Sequence, residues 1–352
     1  MHFSKPGGNL TMTVPPRPTP ALSAFSGLTP DRILRTVETG LGTSCTNLCR
    51  PYNSYINRVY EIETSDGAGL VVKFYRPGRW TQQAVQEEHD FLSELAAEEI
   101  PVIAPLPLHH GGTLGVADNL LYAVFPRKGG RGVDELSEKQ WPAIGRLLGR
   151  IHMVGARSPA YHRNRMHPAV TTAAQLDYIL ASGLIRKDLE QAYQNIGRRI
   201  ITAIGPLFAD QTFVRIHGDC HRGNLIERPG EPLYLIDFDD MVIGPPVQDI
   251  WMLLPGPLET VTVEINLLIE GYETFSPFDR SSLRLIEPLR AMRFIHYTAW
   301  CTLQVVEDGK TCVYPDFGSR RYWEDEIADL NDQWERIRSA GHTAGNRLEH
   351  VW

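Results

Sequence analysis

A chain of 352 residues, 42% hydrophobic and 22% charged, has the make-up of a soluble globular protein and room for one large two-lobed unit or two domains. A formal net charge of −7 removes any reason to expect nucleic acid or an anionic membrane as the main partner. No run of about twenty apolar residues occurs, so no transmembrane span is expected. Five cysteines (45, 49, 220, 301 and 312) without a paired metal pattern indicate reduced thiols in a cytoplasmic protein.

Residues 1–28 carry Pro6, Gly7, Gly8 and the run Pro15-Pro16-Arg17-Pro18-Thr19-Pro20, with no apolar core for a signal peptide, and are expected to form a flexible extension. Thr29-Pro30-Asp31 predicts a helix start, with Thr29 as cap and Pro30 in the first turn, and Ile33, Leu34 and Val37 as its apolar face. Arg58–Glu63 and Leu70–Tyr75, separated by Asp66-Gly67, predict an antiparallel hairpin. A helix follows over about 81–97, burying Phe91, Leu92 and Leu95, and Leu120–Pro126 predicts a further strand. From about Glu135 helices dominate, apart from a strand pair around 213–237. The tail 339–352 is polar and expected to be loose.

Chemistry concentrates in His217-Gly218-Asp219-Cys220-His221-Arg222-Gly223-Asn224 and, a short run later, Ile236-Asp237-Phe238-Asp239-Asp240. A carboxylate, a carboxamide five residues on and a second carboxylate eighteen on follow the order in which kinases set a base and two magnesium ligands. Asp219 can accept a proton from a hydroxyl nucleophile. Asn224 offers a neutral oxygen to a hard cation, and Asp237 ends the apolar run Leu233–Ile236, at the rim of a cleft. His217 and His221 are four apart, but Gly218 and the missing metalloprotease glutamate argue against zinc; His217 reads as a buried residue that fixes the loop.

Lys73 lies among apolar residues of the second hairpin strand. It is either a lysine decorating an edge or an ammonium facing the cleft and the phosphates of ATP. Glu88 is expected to pair with it in preference to Glu87, because Leu92 and Leu95 share its helix face. The segment 51–58 lacks a glycine-rich phosphate loop. Its Ser54, Asn53 and Asn57 either contact phosphate or form a plain polar turn. In the amphipathic segment 286–300, Glu287, Arg290, Arg293 and Tyr297 either line an acceptor site beside Asp219 or pair within the helical lobe.

As a set, these segments resemble the aminoglycoside phosphotransferase/choline kinase-like branch of the protein-kinase-like fold. They are more closely similar to the bacterial stress-response kinase A family of serine/threonine kinases. The resemblance is carried by Asn53-Ser54-Tyr55, Val71-Val72-Lys73-Phe74-Tyr75-Arg76-Pro77, Glu87-Glu88-His89, Leu147–His152, the 217–224 loop, Gln248–Leu254 and Glu287–Arg293, over roughly residues 29–335. It implies an α+β, two-lobed fold: an N-lobe over 29–126 with an antiparallel sheet and a helix, and a mostly helical C-lobe over 127–338. It further implies ATP and Mg²⁺ as co-substrate and cofactor, with Asp219 and Asp237 catalytic, Asn224 and Asp237 on the metal, and Ser54, Lys73 and Glu88 serving the nucleotide. Asp249 would tie the segment after Asp237 to the catalytic loop.

The acceptor implied is a serine or threonine of a protein, the chain itself included, acted on by a monomer in a stress response. Two departures from ordinary protein kinases bear on this. His221 stands two residues after Asp219, where those enzymes usually have lysine, and Asp237-Phe238-Asp239 is followed closely by Gly244-Pro245, which leaves no long activation loop. Both are shared with small-molecule kinases, so an amino alcohol, homoserine or an aminoglycoside is the alternative acceptor. A non-catalytic nucleotide-binding scaffold is the second alternative.

Overall fold

A computed structural model describes residues 25–54, 56–309, 311 and 314–348, with side chains to 339. The first helix, α1 (Pro30–Leu41), begins where the Thr29 cap predicts, Thr29 Oγ1 accepting from the Arg32 amide at 3.4 Å. Five antiparallel strands follow: β1 (Cys45–Pro51), β2 (Arg58–Thr64), β3 (Gly69–Phe74), β4 (Gly115–Ala117) and β5 (Leu120–Pro126). Their order across the sheet is β1-β2-β3-β5-β4. The expected hairpin is β2–β3, and its register sets Lys73 between Val59 on β2 and Ala123 on β5, in the middle of the sheet and not on an edge.

The helix α2 (Gln82–Ala97) is capped by Thr81, whose hydroxyl accepts from the Ala84 amide at 3.1 Å. One apolar cluster joins α1 to the sheet through Ile33, Val37, Ile62, Val72, Phe74 and Val124. Phe25 belongs to that cluster and lies 4.9 Å under the Arg58 guanidinium. Phe25 and Leu28, within the expected extension, thus pack with this cluster; the rest of that extension, 1–24, lies outside the described residues.

The C-lobe contains α3 (Gln140–Gly155), α4 (Ala173–Ala181), α5 (Lys187–Ile204), α6 (Val247–Trp251), α7 (Thr262–Tyr272), α8 (Ile286–Asp308) and α9 (Arg320–Leu348). Helices α3 and α7 touch backbone to backbone: a Cβ on Gly145 would collide with the Leu268 carbonyl, and one on Gly271 with that of Pro142. The C-lobe core runs through Leu148, Ile151, Tyr193, Ile200, Leu268, Ile295 and Trp323, and it takes in Phe91, Leu92 and Leu95 of α2. The predicted apolar face of α2 thus packs across the lobe boundary. Where the polar composition after 339 suggested a loose tail, α9 continues to Leu348; residues 349–352 lie outside the described residues.

The strand pair expected around 213–237 is instead two small sheets. Strand β7 (Val214–Ile216) pairs with β10 (Val242–Gly244), while β8 (Leu225–Glu227) lies between β6 (Arg131–Gly132) and β9 (Tyr234–Leu235). The reason is local: both 217–224 and 237–240 are turns, and pairing β7 with β10 brings these turns out side by side. Gly218, at φ 85°, marks the contact, because a Cβ there would run into the Asp240 carbonyl.

Candidate active site

The 217–224 loop is held from behind by one buried carboxylate. Asp249 of α6 accepts the His217 amide with Oδ2 and the Gly218 amide with Oδ1, each at 2.8 Å, and contacts His152 Nε2 at 3.0 Å. His217 in turn reaches the Ile236 carbonyl at 2.8 Å and packs edge-on against Phe238 with ring centroids 4.5 Å apart. His217 is fully buried and joins the two turns, as its place in the sequence suggests.

Asp219 projects from this loop toward α8. Its Oδ1 lies 2.8 Å from Arg293 Nη2 and its Oδ2 3.5 Å from His221 Nε2. Burial works to raise the Asp219 pKa, but the His221 contact and the Arg293 guanidinium outweigh it and hold the carboxyl well below the usual range. Asn224 is buried, and its Nδ2 donates to the Asp219 carbonyl at 2.9 Å. That bond uses the nitrogen end of the carboxamide and leaves the oxygen end for a cation.

Asp237 stands at φ 63°, ψ 66°, a left-handed conformation costly for a residue with a side chain. Its side chain is 57% exposed, and Oδ1 lies 3.3 Å from Lys73 Nζ. Lys73 also meets Asp239 Oδ1 at 3.0 Å. Burial opposes the Lys73 ammonium, yet Asp239 and Asp237 together lift its pKa well above the ordinary lysine value. Asp239 is itself buried among cations and amides: it pairs with Arg79 and accepts from Asn57 Nδ2 at 3.2 Å. Asn57 Oδ1 accepts the Arg76 amide at 3.0 Å, so this residue bridges the β1–β2 turn to the 237–240 turn. Ser54 is half-buried in the same β1–β2 turn.

Glu88 forms no close ion pair with Lys73, yet the two charges act on each other: burial raises the Glu88 pKa, and Lys73, ahead of Arg163, opposes that rise. Glu88 Oε2 pairs with Arg163 Nη2 at 2.7 Å, both side chains closed to solvent. Arg163 Nε donates to the Ala84 carbonyl and Nη1 to the Asp239 carbonyl, each at 2.7 Å. The neighbouring Glu87 accepts the amides of Tyr161, His162 and Arg163. Both glutamates therefore fasten α2 to the segment 161–163, and Lys73 takes its acids from the turn after β9. Arg163 escaped the sequence reading because it sits in an irregular polar stretch without periodicity. Among the charged residues of α8, Arg293 reaches Asp219, while Glu287 accepts from Gln333 and Arg290 stacks over Trp251 at 5.0 Å. These contacts are the pairing within the helical lobe that the second reading expects, with Arg293 placed beside Asp219.

The donors present suit a hard divalent cation that arrives with phosphates. Among the described residues no three Asp, Glu, His or Cys side chains gather into a metal cage. An open carboxylate at Asp237 and a carboxamide oxygen at Asn224 are the sparse protein set that Mg²⁺ accepts when phosphates complete its shell.

An antiparallel sheet joined to a helical lobe, with a strand lysine paired to Asp237 and with Asp219 and Asn224 on the adjoining turn, is the architecture of a kinase-like phosphotransferase. The family described as "Phosphotransferase enzyme family" matches residues 49–286. Stress response kinase A of Escherichia coli (strain K12) is 38% identical over 291 residues, covering 80% of this chain and 86% of the relative. Serine/threonine protein kinase RdoA of Salmonella typhimurium is 37% identical over 284 residues, with the same coverage of 80% and 86%. In solved structures, an amicoumacin kinase in complex with AMP-PNP, Ca²⁺ and Ami shares the fold at a TM-score of 0.72 and 17% identity, over 89% of this chain and 95% of that one. The chain belongs to the phosphotransferase enzyme family and, within it, to the stress response kinase A family.

Proposed function

We propose that this protein is an ATP- and Mg²⁺-dependent kinase, monomeric and cytoplasmic, that phosphorylates serine or threonine hydroxyls of a protein in a stress response. The observation that carries the reading is the hydrogen bond from Asn224 Nδ2 to the main-chain carbonyl of Asp219, which fixes the carboxamide on the same loop as that acid. In this reading Asp219 orients the acceptor hydroxyl and takes its proton. Asn224 and Asp237 hold Mg²⁺, which when bound neutralises phosphate charge and orients the group to be transferred. Lys73, released from Asp237, meets the α and β phosphates, and Ser54 contacts the nucleotide from the β1–β2 turn. Glu88 serves the site through Arg163 and the Asp239 carbonyl. The names of the relatives support a protein acceptor.

The short connection from Asp237 to Gly244 favours a second reading, in which the acceptor is a small alcohol. Purified full-length chain incubated with γ-labelled ATP separates the two. Label on the chain's own serine or threonine, or on a protein acceptor, supports the first; label confined to a panel of amino alcohols, homoserine and aminoglycosides supports the second. Asp219→Asn is expected to abolish transfer while nucleotide binding stays within about threefold. Turnover retained by that variant removes Asp219 as the base. Nucleotide-induced stabilisation with no transfer to any acceptor would instead make the protein a binding scaffold.

A further inference from the structure

The fixed cation of the 217–224 loop, Arg222, is turned to the Asp134 carbonyl at 2.8 Å, which leaves the Asp219 side short of positive charge. Where protein kinases place a lysine two residues after the base, this chain has His221, which is 42% exposed and 3.5 Å from the Asp219 carboxylate. On the other side of the cleft, Lys73 is assigned to the α and β phosphates, and Arg79 is engaged by Asp239 and Asp240. A loose phosphoryl-transfer transition state spreads negative charge over three equatorial oxygens and needs donors there, on the acceptor side as well as on the nucleotide side.

We propose that Arg293 of α8 is a catalytic residue that supplies this charge to the transferring phosphoryl group. The proposal rests on the reading of Asp219 as the base. Arg293 lies against the base, at 2.8 Å from Oδ1, and among the described residues Asp219 is its one ion-pair partner. Asp219 Oδ1 is shut off from solvent and, within the described residues, has no hydrogen bond besides this charge contact. The guanidinium is therefore held by Coulomb attraction without a well-aligned bond, and among the described residues no hydrogen bond takes up its remaining N–H groups, which can form the planar fork that phosphoryl oxygens accept. Its Cα is fixed by a helix of 23 residues whose Met292 and Ile295 are buried. Its tip is 30% exposed and borders a cavity of about 310 Å³ that it shares with Tyr297, Tyr322, Glu326 and Asp329.

Chemistry and electrostatics then move together. The acceptor oxygen forms its bond to the γ-phosphorus. The bond from that phosphorus to the bridging oxygen breaks, its electron pair leaving with ADP. The hydroxyl proton passes to Asp219. As the carboxylate gains the proton it loses the charge that held Arg293, at the stage when the phosphoryl oxygens beside it most need a donor.

The test uses full-length protein and two readouts. One is the affinity for ADP with magnesium and aluminium fluoride, a mimic of the phosphoryl group in flight, against the affinity for ADP with magnesium alone. The other is release of labelled γ-phosphate from ATP, to dephosphorylated casein or to water. Arg293→Gln is expected to weaken the fluoride complex about 100-fold and leave ADP within about threefold, with kcat down about 100- to 1,000-fold. Adding His221→Lys to Arg293→Gln, or guanidinium ion to Arg293→Ala, is expected to recover about tenfold or more of that rate. A residue that only positions Asp219 would give no recovery from either. Equal weakening of both complexes, or a kcat unchanged within about threefold, overturns the proposal. An active Asp219→Asn control would instead overturn the base assignment beneath it.

Discussion

Glu88 and Arg163 meet at 2.7 Å inside the protein, with side-chain exposures of 2% and 0%. The pair joins α2 to a segment 75 residues away in the chain, and Arg163 goes on to hold the carbonyl of Asp239, next but one to Asp237. Replacing Glu88 by glutamine leaves a buried guanidinium without its counter-charge, at a cost of about 3–5 kcal/mol in urea unfolding. The Glu88→Gln/Arg163→Met double variant should lose clearly less than the sum of the two singles. Additive losses would mean that the two side chains are not coupled.

Arg76, three residues beyond Lys73, crosses from the N-lobe to the C-terminal end of α8. Its Nη2 lies 2.6 Å from Glu307 and 3.0 Å from Asp308, and its own side chain is 4% exposed. One helix thus carries both the clasp on the N-lobe and Arg293 on Asp219. Arg76→Met should loosen the lobes, lowering ATP affinity about tenfold, or about 1.4 kcal/mol. Hydrogen exchange at 303–308 should rise in the same variant. Unaltered exchange there, with unaltered ATP affinity, would make the clasp irrelevant to the cleft.

Glu326 of α9 accepts from Thr298 Oγ1 at 2.7 Å, and burial pushes its pKa up to about 7. The unfolded chain releases this proton near the ordinary glutamate value of 4.5, while the native state keeps it until about pH 7. Stability contributed by the neutral carboxyl is therefore present at low pH, declines between about 4.5 and 7, and is level above that. Glu326→Gln cannot ionise and should be more stable than the parent at pH 8 by about 1–3 kcal/mol, with no such advantage at pH 4.5. Urea midpoints taken across this range check it; a difference independent of pH would show that Glu326 titrates normally.

Gly218 brings the 217–224 loop against the 237–240 turn at φ 85°. Alanine there is strained in conformation and collides with the Asp240 carbonyl. Gly218→Ala is expected to cut transfer by at least about 100-fold, because displacing a reacting group by about 1 Å costs that much. Circular dichroism should remain native, and activity within about tenfold of the parent would show that the two turns can separate without loss.

The hairpin, its lysine, the helix capped by Thr81 and the acidic turns were legible because each depends on neighbours within a few residues. Asp66-Gly67 between alternating apolar residues specifies a turn, and Phe91, Leu92 and Leu95 recur at helical spacing whatever lies beyond them. Strand β1 gave no such signal, since Cys-Thr-Asn-Leu-Cys-Arg-Pro lacks regular alternation and its burial pattern is irregular. The pairing of β7 with β10 was hidden for another reason. Three-residue strands carry too little pattern to name a partner, and the choice is made by the turns they flank.

What the sequence determined by itself is the inventory of chemistry: Asp219, Asn224, Asp237 and Lys73 stand at spacings that local backbone geometry turns into two loops and a strand. The tertiary structure decided the electrostatic company each one keeps. Lys73 found its acids 164 and 166 residues downstream, Glu88 found its base 75 residues downstream, and Asp219 found Arg293 on a helix of its own lobe. Charge attraction depends on separation in space and on how dry the surroundings are, and neither is written in the distance between two residues along a chain.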